Sequence, residues 1–284
     1  FTARTAAEGT EIWVTDGTSA GTALLRDIRP GNAGSLGDFA PLTFTILPDG
    51  RALFRADDGV HGVELWITDG TSAGTGLLRD INPGSATSNP QGLTLLPDGR
   101  VLFVATSAAN GRELWITDGT PAGTRLLRDI APGAASGNPH GLTTLPDGRV
   151  LFAAGDATHG VELWATNGTL AGTQRVLDLQ PGADGSNPAG FTRLADGRVL
   201  FSAVTAAQGR EWWVTDGTAA GTQVLLDFDG DPLHSQNHRP LLMPVTMSLF
   251  GMMNWVYMWF RPNGPITRED YADIATTLIL EGVK

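Results

Sequence analysis

The 284 residues carry a formal net charge of −11 and no cysteine. That balance works against a nucleic-acid backbone as partner, and the missing thiols exclude disulfides and thiolate metal sites. With 37 glycines, 17 prolines and 41% hydrophobic residues, the composition predicts a folded chain of many short strands joined by tight turns.

The chain begins at Phe1, with no initiator methionine and no signal-peptide core, and reads as a fragment or a processed product. From there an internal repeat sets the register. Trp13, Trp66, Trp115, Trp164 and Trp213 each stand inside a Glu-x-Trp-x-Thr-Asp/Asn-Gly-Thr segment, and the last four recur every 49 residues. The copy at Glu162 departs by Ala165 and by Asn167 in place of aspartate.

One unit, read along the chain, predicts four strands. Gly92–Leu96 is a short apolar run that ends in Pro97-Asp98-Gly99, and Arg100–Ala105 follows as its hairpin partner. The Asp-Gly pair supplies a turn conformation that other residues resist. After a variable loop, Arg112–Thr117 alternates between two faces. A second Asp-Gly turn leads to Thr124–Ile130, closed by Pro132-Gly133. A four-stranded unit recurring at this period predicts β-propeller blades. The expected fold is therefore all-β: a five-bladed or partial propeller of four-stranded antiparallel blades, with a C-terminal α-helical hairpin. Phe1-Thr2-Ala3 matches the end of a second strand, so the first blade is expected to lack its innermost strand.

The signature, at Glu11, Glu64, Glu113, Glu162 and Glu211, resembles that of a bacterial repeat family named ELWxTDGT. The resemblance spans residues 1–230. It implies an exported or surface-associated protein, and it attaches no common chemistry to the fold.

Composition changes after Asp231, where all five methionines and both tyrosines lie. The expected division is propeller repeats over 1–230, a linker over 231–240 and a helical hairpin over 241–284. Leu241–Phe260 is an uncharged run of 20 residues, long enough to cross a bilayer. Pro244, Asn254 and the heavy use of methionine weigh against a span, and a helix capping the propeller is a further alternative. Gly251–Trp255, Trp259–Pro265 and Tyr271–Asp273 resemble the C-terminal end of TetR-type transcriptional regulators. That resemblance implies a homodimer surface, for which Phe250, Trp255, Trp259, Tyr271, Ile274 and Leu278 are the candidates. It does not carry over DNA binding, because β repeats stand where the family has its helix-turn-helix. It also implies a cytoplasmic setting rather than an extracellular or cell-surface one.

The repeated Glu11, Glu64, Glu113, Glu162 and Glu211, like the five tryptophans, read as structural. Each glutamate shares a strand face with its tryptophan, and Glu64–Arg51, Glu113–Arg100 and Glu162–Arg149 are expected ion pairs. The turn aspartates Asp16, Asp69, Asp118 and Asp216 are the candidates for calcium, whose hard charge suits oxygen ligands. No other cofactor is expected. Ligand-binding candidates lie where the units differ, in the loop between the second and third strands: Asp57, Asp58, His61, Asn110, Asp156, His159 and Gln208. Catalytic motifs of the nucleophile-elbow, zinc-protease and phosphate-loop kinds are not found. The leading expectation is thus a non-enzymatic binding scaffold for a protein or glycan ligand. A TetR-like dimerising protein comes second, and an enzyme using the propeller channel third.

Overall fold

A computed structural model describes residues 1–36 and 43–226, and these are wholly β in their regular structure. The expected linker, helical hairpin and dimer residues lie outside the described residues, as does the apolar run 241–260. Among the described residues no helix is long and apolar enough to cross a membrane.

The first sheet has three strands, β1 (Thr2–Thr5), β2 (Gly9–Val14) and β3 (Ala23–Arg26). Four four-stranded sheets follow. The second holds β4 (Thr45–Ile46), β5 (Ala52–Asp57), β6 (Val63–Thr68) and β7 (Gly76–Arg79). The third holds β8 (Gln91–Leu95), β9 (Val101–Ser107), β10 (Gly111–Thr117) and β11 (Arg125–Arg128). In the fourth are β12 (His140–Thr144), β13 (Val150–Asp156), β14 (Gly160–Thr166) and β15 (Gln174–Leu177). The fifth is built from β16 (Ala189–Arg193), β17 (Val199–Thr205), β18 (Gly209–Thr215) and β19 (Gln223–Leu226). Every sheet is an antiparallel meander in chain order, and the first strands β4, β8, β12 and β16 lie next to one another. The architecture is propeller-like, with each sheet a blade.

The repeat dictates this stacking through strand alternation. In the third blade, register pairs Phe103 with Trp115 and Ala105 with Glu113, so all four side chains share one face. Val101, Phe103, Ala105 and Trp115 pack on Leu53, Leu65, Leu78 and Ile81 of the second blade. The opposite face, with Leu102, Val104, Leu114 and Ile116, packs on Val150, Phe152, Ala154 and Trp164 of the fourth. The same two-sided contact recurs between the first and second blades and between the fourth and fifth. Each face is an apolar surface that only another blade buries, which is why the unit works as an array. Phe54, Phe103, Phe152 and Phe201 are fully buried, and the ring of Phe152 stacks on Trp164 with centroids 6.3 Å apart.

The signature turn is a closed hydrogen-bond network. In the second blade, Asp69 Oδ1 accepts from the Thr71 amide at 2.8 Å and from its hydroxyl at 2.7 Å. Thr71 Oγ1 accepts from the Gly74 amide at 3.0 Å, and the hydroxyls of Thr68 and Thr75 lie 2.7 Å apart. Gly70 has φ +88°, a conformation open to glycine. A Cβ at Gly74 would lie 2.0 Å from Asp69 Oδ1. Thr-Asp-Gly-Thr-x-Ala-Gly-Thr is therefore the list of residues one tight corner requires.

Candidate functional site

The expected glutamate–arginine pairs do not form. Register puts Val101 opposite Thr117 and Ala105 opposite Glu113, so Arg100 and Glu113 belong to opposite ends of the hairpin. Glu11, Glu64, Glu113 and Glu162 instead hold the crossover loop that leaves their own blade. Glu64 accepts from the amides of Ile81 (3.0 Å), Asn82 (3.4 Å) and Ser88 (3.0 Å), and from the Ser88 hydroxyl at 2.5 Å. Glu113 accepts from Ile130, Ala131 and Gly137, and Glu162 from Leu179, Gln180 and Ser186. Burial pushes the Glu11, Glu64 and Glu113 carboxyls above the ordinary range, and these hydrogen bonds offset part of that.

The arginines do something that sequence reasoning missed. Nε of Arg51, Arg100 and Arg149 binds the aspartate two residues earlier, at 2.7, 2.8 and 2.6 Å. Nη1 then crosses to the next blade and donates to the carbonyls of Gly119, Gly168 and Gly217, at 2.8, 2.8 and 2.6 Å. A constant separation of 68 residues between two repeated types was the available signal.

The variable loops stand where the crossover loops of the preceding blade meet them. Arg29 Nη1 pairs with Asp57 at 2.6 Å, Asn82 Oδ1 accepts from the Ala108 amide, and Gln180 Oε1 accepts from the Ala206 amide. Within the β5–β6 loop, Asp58 Oδ1 accepts from the amides of Val60 and His61, and Oδ2 lies 2.7 Å from His61 Nδ1. Burial raises the Asp58 carboxyl, but the bonds from His61 and Val60 outweigh it and leave the group below its ordinary value. The Asp58 hydrogen bond in turn raises His61. Asp156 and His159 repeat the arrangement in the β13–β14 loop at 3.0 Å. Asn110 Nδ2 donates to Asp129 at 3.2 Å, and the Gln208 amide donates to Thr205 Oγ1 at 3.3 Å. The candidate ligand residues thus sit one loop per blade, Asp57, Asp58 and His61 in the second, Asn110 in the third, Asp156 and His159 in the fourth and Gln208 in the fifth. The side chains of Asp58, His61, Asp156 and His159 shape their own loops.

Asp16, Asp69, Asp118 and Asp216 sit in separate corners, each taking the hydroxyl and amide of the threonine two residues on. Asn167 takes the same two bonds at 3.1 and 2.7 Å, so a neutral amide does this work. Among the described residues no group of three His, Cys, Asp or Glu side chains gathers to hold a metal ion. A polar cleft of 330 Å³ opens between the fourth and fifth blades, lined by Arg149, Asn167, Gln174, Arg175, Gly217 and Ala219.

Residues 237–283 match the family model described as "Tetracyclin repressor-like, C-terminal domain". No curated protein matches the sequence. Among solved structures, the chain is similar to a puromycin hydrolase (16% identity, TM-score 0.45), covering 79% of this chain and 37% of that one. It is also similar to a prolyl endopeptidase (14%, TM-score 0.46; 77% of this chain and 30% of that one). A third is a gluconolactonase from Xanthomonas campestris (17%, TM-score 0.38; 72% and 64%). The chain thus spans about a third of the length of the first two.

These neighbours correct the expectation of a non-enzymatic scaffold. All three are named as enzymes, and that finding stands against the non-enzymatic reading.

Proposed function

We propose that this chain is a self-associating propeller protein, in which residues 237–283 pair with the same segment of a second copy and hold two propellers together. The match of that segment to a Tetracyclin repressor-like C-terminal domain carries the reading. Its composition supports it, because Phe250, Trp255, Trp259, Tyr271, Ile274 and Leu278 concentrate large apolar side chains in a short stretch. The division into repeats over 1–230, a linker over 231–240 and an association segment over 241–284 belongs to the same proposal.

Light scattering on the full chain tests it. The expected mass is twice that of one chain, falling to one chain when Trp255→Asp and Ile274→Asp are combined. A wild-type monomer at tens of micromolar overturns the proposal. The same preparations should be assayed against peptide, aminoacyl-amide and lactone substrates, a choice set by the three neighbours named above.

A further inference from the structure

The cleft between the fourth and fifth blades lies where the repeat changes on both of its walls. On one wall Ala165 shares a core with Val199 and Phe201 of the fifth blade, whereas its counterpart Ile116 shares one with Val150 and Phe152 of the fourth. On the other wall Ala219 stands where the corners of the third and fourth blades carry Pro121 and Leu170. Each replacement removes side-chain volume from the same interface, and together they border the 330 Å³ of the cleft. That volume is at the small end of the roughly 300–1,000 Å³ of ligand cavities, room for a small molecule.

The same stretch exchanges an anion for a donor. Asn167 lines the cleft at the repeat position that holds Asp69 and Asp118 in the second and third blades. Its Oδ1 takes the bonds from the Thr169 amide and hydroxyl, which leaves Nδ2 where the other corners hold a second carboxylate oxygen. A Cβ at Gly172 would lie 2.6 Å from Nδ2, as one at Gly74 would lie 2.2 Å from Asp69 Oδ2. Arg149 lines the cleft as well. It donates from Nε to Asp147, from Nη1 to the Gly217 carbonyl and from Nη2 to the Asp216 carbonyl. Each terminal nitrogen thus keeps an N–H without a partner among the described residues. No acidic residue is among those that line the cleft.

We propose that this cleft binds a small organic oxyanion, a carboxylate or a phosphate monoester, taken by the remaining N–H groups of Arg149 and by the Asn167 amide. A guanidinium N–H facing an oxyanion forms a short, strong bond. An aspartate in place of Asn167, as in the second and third blades, would repel the same ligand. The two departures of the fourth blade from the signature thus act on one place, Ala165 making room and Asn167 removing charge. The site is built by the fourth and fifth blades and does not depend on pairing through 237–283.

Ligand-observed NMR on the full chain tests this with three probes of one carbon skeleton: glucuronate, glucose 6-phosphate and glucose. At least one of the two anions should bind and the neutral sugar should not, and the tighter anion shows which oxyanion the site takes. Asn167→Asp restores the carboxylate of the other corners. It should weaken the bound anion roughly tenfold, since repulsion between like charges replaces a charge-assisted bond. Ala165→Ile restores the side chain found at Ile67 and Ile116. It should abolish binding while the melting temperature holds or rises, which separates a filled cleft from a misfolded chain. Silence from both anions with the wild-type chain overturns the proposal. So does glucose binding as tightly as the anions, or wild-type affinity in either variant.

Discussion

Arg100 Nη1 donates to the carbonyl of Gly168, 68 residues further on and in the next blade, at 2.8 Å. The same guanidinium is held from behind by Asp98 at 2.8 Å from Nε and at 2.6 Å from Nη2. The planar fork thus serves two partners in fixed directions, which an ammonium cannot do. Arg100→Ala is expected to lower unfolding stability by about 1–2 kcal/mol, the worth of a charge-assisted bond in a partly exposed place. Arg100→Lys should recover little of it. Urea unfolding followed by tryptophan fluorescence measures both, and full recovery by lysine would remove the directional role.

The signature turn separates charge from geometry. Since Asn167 makes the bonds its aspartate counterparts make, Asp118→Asn should change stability by less than about 0.5 kcal/mol. Asp118→Ala loses the acceptor for both Thr120 groups and should cost about 1–2 kcal/mol. Equal melting temperatures for wild type and Asp118→Ala would contradict the account. A melting shift on adding calcium, absent with magnesium and lost in Asp118→Asn, would instead assign the turn to a cation.

Glu64 uses both carboxylate oxygens as acceptors, Oε1 from Asn82 and Ser88 and Oε2 from Ile81 and the Ser88 hydroxyl. Glu64→Gln keeps the shape but turns an amide donor against backbone donors in a fully buried place. A stability loss of about 1–3 kcal/mol is expected, the cost of an unsatisfied buried donor. Hydrogen exchange should localise the change to the crossover loop after β7. Uniform loosening of all five blades would show that the glutamate acts elsewhere.

Much of this fold was legible because the strands repeat. The Asp-Gly pairs marked hairpins at Asp98-Gly99 and Asp118-Gly119, and alternation placed Phe103 and Trp115 on one face. What stayed hidden were contacts between units. Charge alone suggested Glu113–Arg100, and only the register shows that these residues belong to opposite ends of the hairpin. The left-handed Asn89, Asn138 and Asn187, at φ 46–48°, each precede a proline and close the crossover loops. The recurring Asn-Pro marks these turns, but the loop's contact with the next blade is not written in it. The loop candidates Asp58 and His61 were legible as residues that differ between units. Their mutual bond was not, because it depends on how the loop turns back.

That bond sets the last prediction. Burial pushes the Asp58 carboxyl up, but the bonds from His61 and Val60 outweigh it and leave it below its ordinary value, while the bond to Asp58 holds the His61 imidazole above its own. For the depressed Asp58, the stabilising part is present above its unfolded pKa and fades as pH falls through the folded one. For the raised His61, it is complete below the unfolded imidazole pKa and fades as pH rises through the folded one. The pair therefore contributes most between those limits, in the mildly acidic range. A proton NMR titration should find the His61 imidazole above about 6.5, its ordinary value. Asp58→Asn should return it toward that value. An unmoved His61 would mean that the loop, and not the carboxylate, holds the ring.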